Sequence, residues 1–138
     1  MTLIDTGPIV ALIDKGQEEL HGKCVAVSQA LVGPLLTTWP CFTEAMYFLH
    51  RLRGWQGQAT LWRFIAEGAL MLHTPGESEW PRMHSLMEKY QDTPMDLADA
   101  SLVVAAESRG MKSIFTLDSD FYIYRINDIG PFEVVPLS

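Results

Sequence analysis

Cysteine and long apolar runs are both scarce in this chain. Cys24 and Cys41 are the only cysteines among 138 residues. They form no CxxC pair and no Cys/His spacing suited to zinc, so we interpret them as reduced, mostly buried thiols of a cytoplasmic protein. Charged residues, proline or glycine interrupt every apolar run before the roughly 20 residues that cross a bilayer. The start, Met1-Thr2-Leu3-Ile4-Asp5, has no basic flank typical of a cleavable signal. We therefore expect a soluble protein with no membrane partner.

Basic residues are also few: 10 lysines and arginines stand against 17 aspartates and glutamates, which gives a formal net charge of −7. This balance argues against a protein that grips nucleic acid through a broad basic face. A nuclease is still compatible with it, because carboxylates in a metal site count as negative until cations bind. The sequence has no Walker loop and no dinucleotide-binding glycine pattern, so nothing supports nucleotide-cofactor chemistry.

Short apolar runs alternate with segments of helical periodicity. Strands are predicted at 2–4, 35–37, 70–72, 113–117 and 132–136, with helices between them. Such alternation implies right-handed crossovers and a mostly parallel sheet covered on both faces. Because 48% of the residues are hydrophobic, the chain can bury one ordinary core. We predict an α/β protein with a three-layer α/β/α sandwich, built as a single domain over residues 1–138.

Several helix details follow from the same patterns. One helix should begin at Pro40 and end at Gly54, another should cover residues 59–66, and Ser78 is placed to cap a third. A buried stripe on the Pro40 helix is predicted to contain Ala45, Phe48, Leu49 and Leu52. Helical spacing favours a core position over a base-stacking surface for a further set of large side chains: Phe42, Tyr47, Trp55, Trp62, Trp80, Met83 and Met87.

Carboxylates follow the strands at the points where a parallel sheet forms its functional crevice, outside the carboxyl ends of the strands. Asp5 follows the first strand, and Asp118 follows the strand at 113–117. Asp99 lies in the first turn of the preceding helix, and Glu44 lies near the N-terminus of another, so all four can point to one edge. Without cations these charges would repel and take up protons. Mg²⁺ favours carboxylate, water and phosphate oxygens, so the set predicts metal-assisted hydrolysis of a phosphodiester.

Each acid also has a purely structural interpretation. Asp96 is placed to cap the helix that follows it, and Asp99 at the third position of that helix could complement the helix dipole. The segment Asp118-Ser119-Asp120 could form only an Asx turn after a strand. Glu44 could lie on a solvated helix face, and Asp5 could cap a loop. The acids are harder to explain in this way together than one at a time.

Neighbouring polar residues leave further alternatives open. Thr6 and Thr116 flank two of the acids, where their hydroxyls could orient a carboxylate or a metal-bound water, or could bond the backbone. Three arginines on and after the Pro40 helix could contact a phosphate backbone or form a solvated face: Arg51, Arg53 and Arg63. The four histidines have no mutual ligand spacing and are assigned structural or surface positions: His21, His50, His73 and His84. No particular RNA-binding residue is predicted.

Four motifs in order carry a family resemblance: Asp5-Thr6-Gly7-Pro8, Thr43-Glu44, Met95-Asp96-Leu97-Ala98-Asp99-Ala100-Ser101-Leu102 and Thr116-Leu117-Asp118-Ser119-Asp120-Phe121. With these motifs the chain resembles PIN-domain proteins of the VapC toxin type, from the first strand nearly to the C-terminus. The resemblance implies a parallel-sheet endoribonuclease that uses Mg²⁺ or Mn²⁺ to cut an RNA substrate. It also implies a homodimer and a small antitoxin protein that holds the enzyme inactive.

The resemblance also assigns site residues by position. It implies that Asp5 and Asp99 are the main metal ligands and that Asp118 is a further ligand. Glu44 completes the set of catalytic acids. Four residues are accessory: Asp96, Asp120, Thr6 and Thr116.

Other classes fit the sequence less well. A haloacid-dehalogenase-type phosphatase needs a second aspartate two positions after Asp5, where this chain has Gly7. A receiver-type phosphoacceptor needs paired early acids and a late lysine, and the strand before Asp118 offers only Lys112 at its start. The main alternative is a catalytically silent PIN-fold binding module that acts through a protein or RNA partner. A metal titration with an RNA cleavage assay separates it from a nuclease.

Overall fold

The computed structural model describes residues 1–137, and its centre is a five-stranded parallel sheet. The strands of the chain are β1 Thr2–Ile4, β2 Leu35–Thr38, β3 Leu70–His73, β4 Ser113–Phe115, β5 Arg125–Ile126, β6 Gly130–Pro131 and β7 Glu133–Val134. The sheet has the order β3-β2-β1-β4-β7, and every neighbouring pair in it is parallel. The predicted α/β class and parallel sheet are confirmed. Strands β4 and β7 are shorter than the predicted strands at 113–117 and 132–136.

Five helices cover the two faces of this sheet: α1 Thr6–Ile13, α2 Glu18–Ala30, α3 Trp39–Ala66, α4 Trp80–Lys89 and α5 Leu97–Arg109. Successive strand residues point to opposite faces, so Leu3 packs in the cluster that contains Leu102 of α5. Ile4 packs in the second cluster with Leu49 of α3. The structure therefore has the predicted three layers. That residues 1–138 form one domain stays a prediction.

Helix α3 agrees with the prediction at Gly54 and differs from it in burial. Gly54 breaks the helical geometry with φ 61° and ψ −149°, a conformation that favours glycine, so a kink divides α3 into two helical segments, of which the second ends at Ala66. In the predicted stripe Ala45 and Leu49 are buried, but Phe48 is 43% and Leu52 is 54% exposed. The burial prediction was wrong for these two because a helical repeat shows which residues share a face, while the part of this face that carries Phe48 and Leu52 lines an open cleft.

Some of the large side chains assigned to the core are buried and others are exposed. Phe42 and Met83 are buried, as predicted, and Met87 is partly buried against the α4–α5 side of the core. The other four are exposed, so their core assignment was wrong: Tyr47, Trp55, Trp62 and Trp80. They lie on the outer surfaces of α3 and at the start of α4, where packed elements cover only the inner surfaces.

Two local features were predicted incorrectly or not at all. Ser78 does not cap a helix, because a 3₁₀ turn at Glu77–Glu79 precedes α4 and the cap position is Glu79. Strands β5 and β6 form a small antiparallel ribbon, and Asn127 and Asp128 turn it with φ of 53° and 61°. Within residues 1–137, no helix is both long and apolar enough to cross a membrane.

Candidate active site

The predicted acids converge on one cleft at the carboxyl edge of the sheet. Asp5, Glu44, Asp96, Asp99 and Asp118 all line this cleft, which has a volume of about 490 Å³ and is here named the acidic cleft. The chain leaves β1 towards β2 on one side and later returns to β4 on the other side. The cleft therefore lies at the reversal of strand order, where open parallel sheets form their functional crevice. Apolar side chains complete its wall: Val10, Leu20, Phe48, Leu52 and Leu117.

Asp5 is held at the end of β1 by two short hydrogen bonds. The Thr6 backbone N–H donates to Oδ1 over 2.7 Å, so Asp5 caps helix α1, and the Thr116 hydroxyl donates to Oδ2 over 2.7 Å. Burial raises the pKa of Asp5 to about 6 although both hydrogen bonds lower it, and the charges of Asp118 and Glu44 raise it further. The carboxyl group is thus rigidly placed in a position where its charge is unfavourable without a cation.

Asp96 and Asp99 form a reciprocal cap at the start of α5. The Asp99 N–H donates to Asp96 Oδ1 over 2.8 Å, and the Asp96 N–H donates to Asp99 Oδ2 over 3.2 Å. This geometry is a capping box, so the predicted capping role of Asp96 is confirmed. Asp99 is buried, and burial raises its pKa to about 8, with further increases from the charges of Asp96 and Asp5. Capping and a ligand role are therefore compatible for Asp99, because the cap uses only one of its oxygens.

Thr116 links Asp5 to Asp118. Its Oγ1 donates to Asp5 and accepts the Asp118 backbone N–H over 3.0 Å, so it both orients a carboxylate and bonds the backbone. Asp118 in turn accepts the Asp120 N–H over 2.9 Å, which forms the Asx turn considered above and starts a 3₁₀ helix at Ser119–Tyr122. Asp120 is not among the residues that line the acidic cleft. The Thr6 hydroxyl bonds the Cys41 carbonyl over 3.4 Å, so only the Thr6 backbone contacts a carboxylate.

The basic side chains and histidines of residues 1–137 lie outside the acidic cleft. No lysine, arginine or histidine of residues 1–137 lines the acidic cleft. Arg53 pairs with Asp14 over 2.8 Å, and Arg51 donates to the Tyr47 hydroxyl over 3.2 Å. His73 is buried between Glu79 and Arg109, which supports its assignment as structural. Contact of these arginines with a phosphate backbone stays a prediction.

The donor set fits a hydrated hard cation better than a closed protein cage. Across residues 1–137, no three His, Cys, Asp or Glu side chains are close enough together to surround an ion by themselves. The cleft instead offers carboxylate oxygens from separate elements, and two of the acids, Asp5 and Asp99, have pKa values raised by burial and neighbouring charge. Mg²⁺ keeps several waters and takes one or two carboxylates plus phosphate oxygens, which is the chemistry that this edge can supply.

Two neighbours of the acids were not identified from the sequence. The Tyr124 hydroxyl lies 3.4 Å from Asp99 Oδ2, and burial together with nearby carboxylates raises the pKa of Tyr124. The Cys41 sulfur lies 4.0 Å from Asp5 Oδ1, and burial raises the pKa of this thiol to about 12. Both cysteines are free and buried, as predicted. No periodic pattern points to either contact, because each joins residues 25 or more positions apart.

Known proteins share this architecture. No family model matches the sequence. The ribonuclease VapC26 of Mycobacterium tuberculosis is 27% identical over 135 residues, which make up 97% of this chain and 99% of the relative. The crystal structure of VapC20 from the same organism, a sarcin-ricin loop cleaving toxin, has a TM-score of 0.82 at 14% identity. The match covers 95% of this chain and 100% of VapC20. A toxin-antitoxin complex from Klebsiella pneumoniae matches with a TM-score of 0.65 at 16% identity, over 88% of this chain and 90% of that one.

The parallel sheet and the acidic cleft at its carboxyl edge define an α/β protein with the PIN-domain fold. The similarity in sequence extends over the full length of a VapC ribonuclease. The chain is similar to VapC-type toxin ribonucleases, in agreement with the resemblance that its motifs carry.

Proposed function

We propose that the chain is a Mg²⁺- or Mn²⁺-dependent endoribonuclease and the toxin of a type II toxin-antitoxin pair. The observation that carries this proposal is the convergence of five carboxylates on one cleft, two of which are buried where an unpaired charge is unfavourable. The full-length similarity to a ribonuclease supports it. The silent binding module predicts no metal-dependent cleavage, and the experiment below separates the two.

The proposed mechanism assigns a task to each acid. Asp5, Asp99 and Asp118 would contribute oxygens to a hydrated cation, directly or through its waters. When bound, the cation supplies charge stabilisation for the phosphorane-like transition state and lowers the pKa of a water. Thr116 holds Asp5 in place through the 2.7 Å bond, so this ligand needs little reorganisation during the reaction. Glu44 is half-buried on the cleft wall, and within residues 1–137 no donor bonds its carboxylate. It is therefore free to accept the proton of the attacking water at a carboxylate oxygen.

The walls of the acidic cleft also contribute. Phe48, Leu52 and Leu117 are each more than two-fifths exposed on the cleft side of the molecule. When an RNA strand covers them they exclude water, which strengthens the electrostatic interactions within the cleft. Since no basic side chain of residues 1–137 lines the cleft, attraction of the phosphate depends on the cation.

The similarity to solved structures also supports a proposal about partners. A known structure of this fold is a toxin-antitoxin complex, and we propose a small antitoxin protein and a second copy of the chain as partners. The cytoplasm remains the proposed location. Light scattering behind gel filtration measures the oligomeric state, and a dimer is expected.

The decisive experiment is a cleavage assay with end-labelled RNA and the purified chain. We expect cleavage with Mn²⁺ or Mg²⁺ and none with EDTA. Asp5→Asn should stop cleavage because it removes a charged ligand while an amide oxygen can still cap α1. Asp92→Asn makes the same chemical change at an exposed turn residue and should cleave like the wild type. If the folded wild type does not cleave with either metal over a panel of RNAs, or cleaves equally in EDTA, the proposal is wrong.

A further inference from the structure

Tyr124 is a rigidly placed tyrosine directly behind the acidic cleft. It is 0% exposed, and its ring makes edge contacts with Tyr90 and Phe121 at centroid distances of 5.1 and 5.0 Å. Its backbone N–H donates to the Asp120 carbonyl over 3.1 Å, at the end of the 3₁₀ helix that Asp118 caps. The position of its hydroxyl is therefore determined by the surrounding packing.

The Tyr124 hydroxyl has two acceptors within reach. The Thr93 carbonyl is 3.3 Å away and Asp99 Oδ2 is 3.4 Å away. A hydroxyl has one proton to donate. The two nearly equal distances allow it to be donated to Asp99 Oδ2.

The two oxygens of Asp99 have different surroundings. Oδ2 accepts the Asp96 N–H and is the oxygen that Tyr124 approaches. No donor of residues 1–137 bonds Oδ1. In that same part of the chain, no fully buried side-chain oxygen or nitrogen lacks a partner, so Oδ1 is not fully buried. Asp99 itself lines the acidic cleft.

We infer that Tyr124 is a positioning residue for the metal site. It donates to Asp99 Oδ2 and, together with the Asp96 N–H, holds the carboxylate so that Oδ1 remains available to the cation. This inference rests on the proposed function. It differs from a purely structural role, in which the hydroxyl only bonds Thr93 and its removal affects stability alone.

The test is a direct titration of Mn²⁺, followed by calorimetry or by electron paramagnetic resonance of free Mn²⁺, with no RNA present. Tyr124→Phe keeps the ring and its edge contacts but removes the hydroxyl. We expect its Kd for Mn²⁺ to rise about tenfold, the lower end of the range for lost outer partners of a ligand. Tyr90→Phe is the matched control, because it removes the hydroxyl that accepts the Arg125 N–H over 3.2 Å in the same aromatic cluster. Its Kd should equal that of the wild type.

The outcomes separate this inference from the proposed function. If the wild type binds no Mn²⁺, the proposed function fails and this inference fails with it. Wild-type binding with an unchanged Kd in folded Tyr124→Phe, or an equal loss in Tyr90→Phe, overturns the inference alone.

A second measurement needs no variant. In wild-type protein with ¹³Cζ-labelled tyrosine, Mg²⁺ should shift the Tyr124 resonance and leave that of Tyr90 in place. A Tyr124 resonance that does not respond at saturating Mg²⁺ contradicts the inference.

Discussion

Replacing Asp5 with asparagine should stabilise the metal-free protein at high pH. The pKa of Asp5 is raised from 3.8 to about 6, so the folded protein binds this proton more tightly than the unfolded chain does. That contribution to stability is fully present below pH 3.8 and is lost as the pH rises to about 6. The difference of about 2 pKa units corresponds to about 3 kcal/mol. Asparagine avoids this loss but gives up one charge-assisted hydrogen bond, which costs about 1 kcal/mol.

The net expectation is that Asp5→Asn is more stable by about 2 kcal/mol at pH 8 in EDTA, which is roughly 6 °C in Tm for a chain of this size. Differential scanning calorimetry measures it. At pH 4 Asp5 is protonated in the folded wild type and most of the ionisation penalty is absent, so only the hydrogen-bond cost remains and Asp5→Asn should be less stable than wild type by up to about 1 kcal/mol. At pH 8, Mn²⁺ at about 100 times its Kd should stabilise the wild type by about 2.7 kcal/mol and reverse the order. An Asp5→Asn protein that is less stable than wild type at pH 8 in EDTA, or a pH-independent difference, would refute the reasoning.

Three further predictions test separate parts of the structure. Thr116→Val removes the hydroxyl that donates to the Asp5 carboxylate, and the rate of Mn²⁺-dependent cleavage should fall about 10- to 100-fold. An unchanged rate would show that this hydrogen bond does not position a ligand. Gly110→Ala should destabilise the protein by about 1 kcal/mol in urea unfolding, because φ is 65° at this helix end. Gly22→Ala, inside α2 with open space around it, should instead stabilise by up to about 1 kcal/mol. Phe48→Ser should cost under about 0.5 kcal/mol, while Leu49→Ala should cost about 2–5 kcal/mol; similar costs would contradict the exposure of Phe48.

The sheet and the position of the acids could be predicted because both depend on short-range sequence features. A central parallel strand is buried on both faces, so it is a short apolar run such as Thr2–Ile4, and a polar residue follows where the strand ends. Parallel strands end at one edge, so Asp5 and Asp118 were expected to lie close together, and they do. The capping role of Asp96 was also readable from its place just before an apolar helical repeat. The catalytic roles of these acids stay predictions until cleavage is measured.

The remainder depended on contacts between distant parts of the chain. Helical periodicity placed Phe48 and Leu52 on the same face as Leu49, but it does not show which part of that face borders a cleft instead of a packed neighbour. The contact between Tyr124 and Asp99 depends on a 3₁₀ helix that has no clear periodic pattern. Polarity alone also did not determine which threonine hydroxyl reaches a carboxylate, since Thr6 and Thr116 both lie within two residues of a strand end.

Three of the acids in the cleft, Asp5, Asp96 and Asp118, also start a helix or a helical turn. Asparagine starts helices as well as aspartate does. If Asp5 holds the cation as proposed, a single codon change to asparagine would remove a ligand charge and leave the start of α1 in place. The proposed activity would then be lost in evolution without a change of architecture, and one missing charge would be the main trace of that loss.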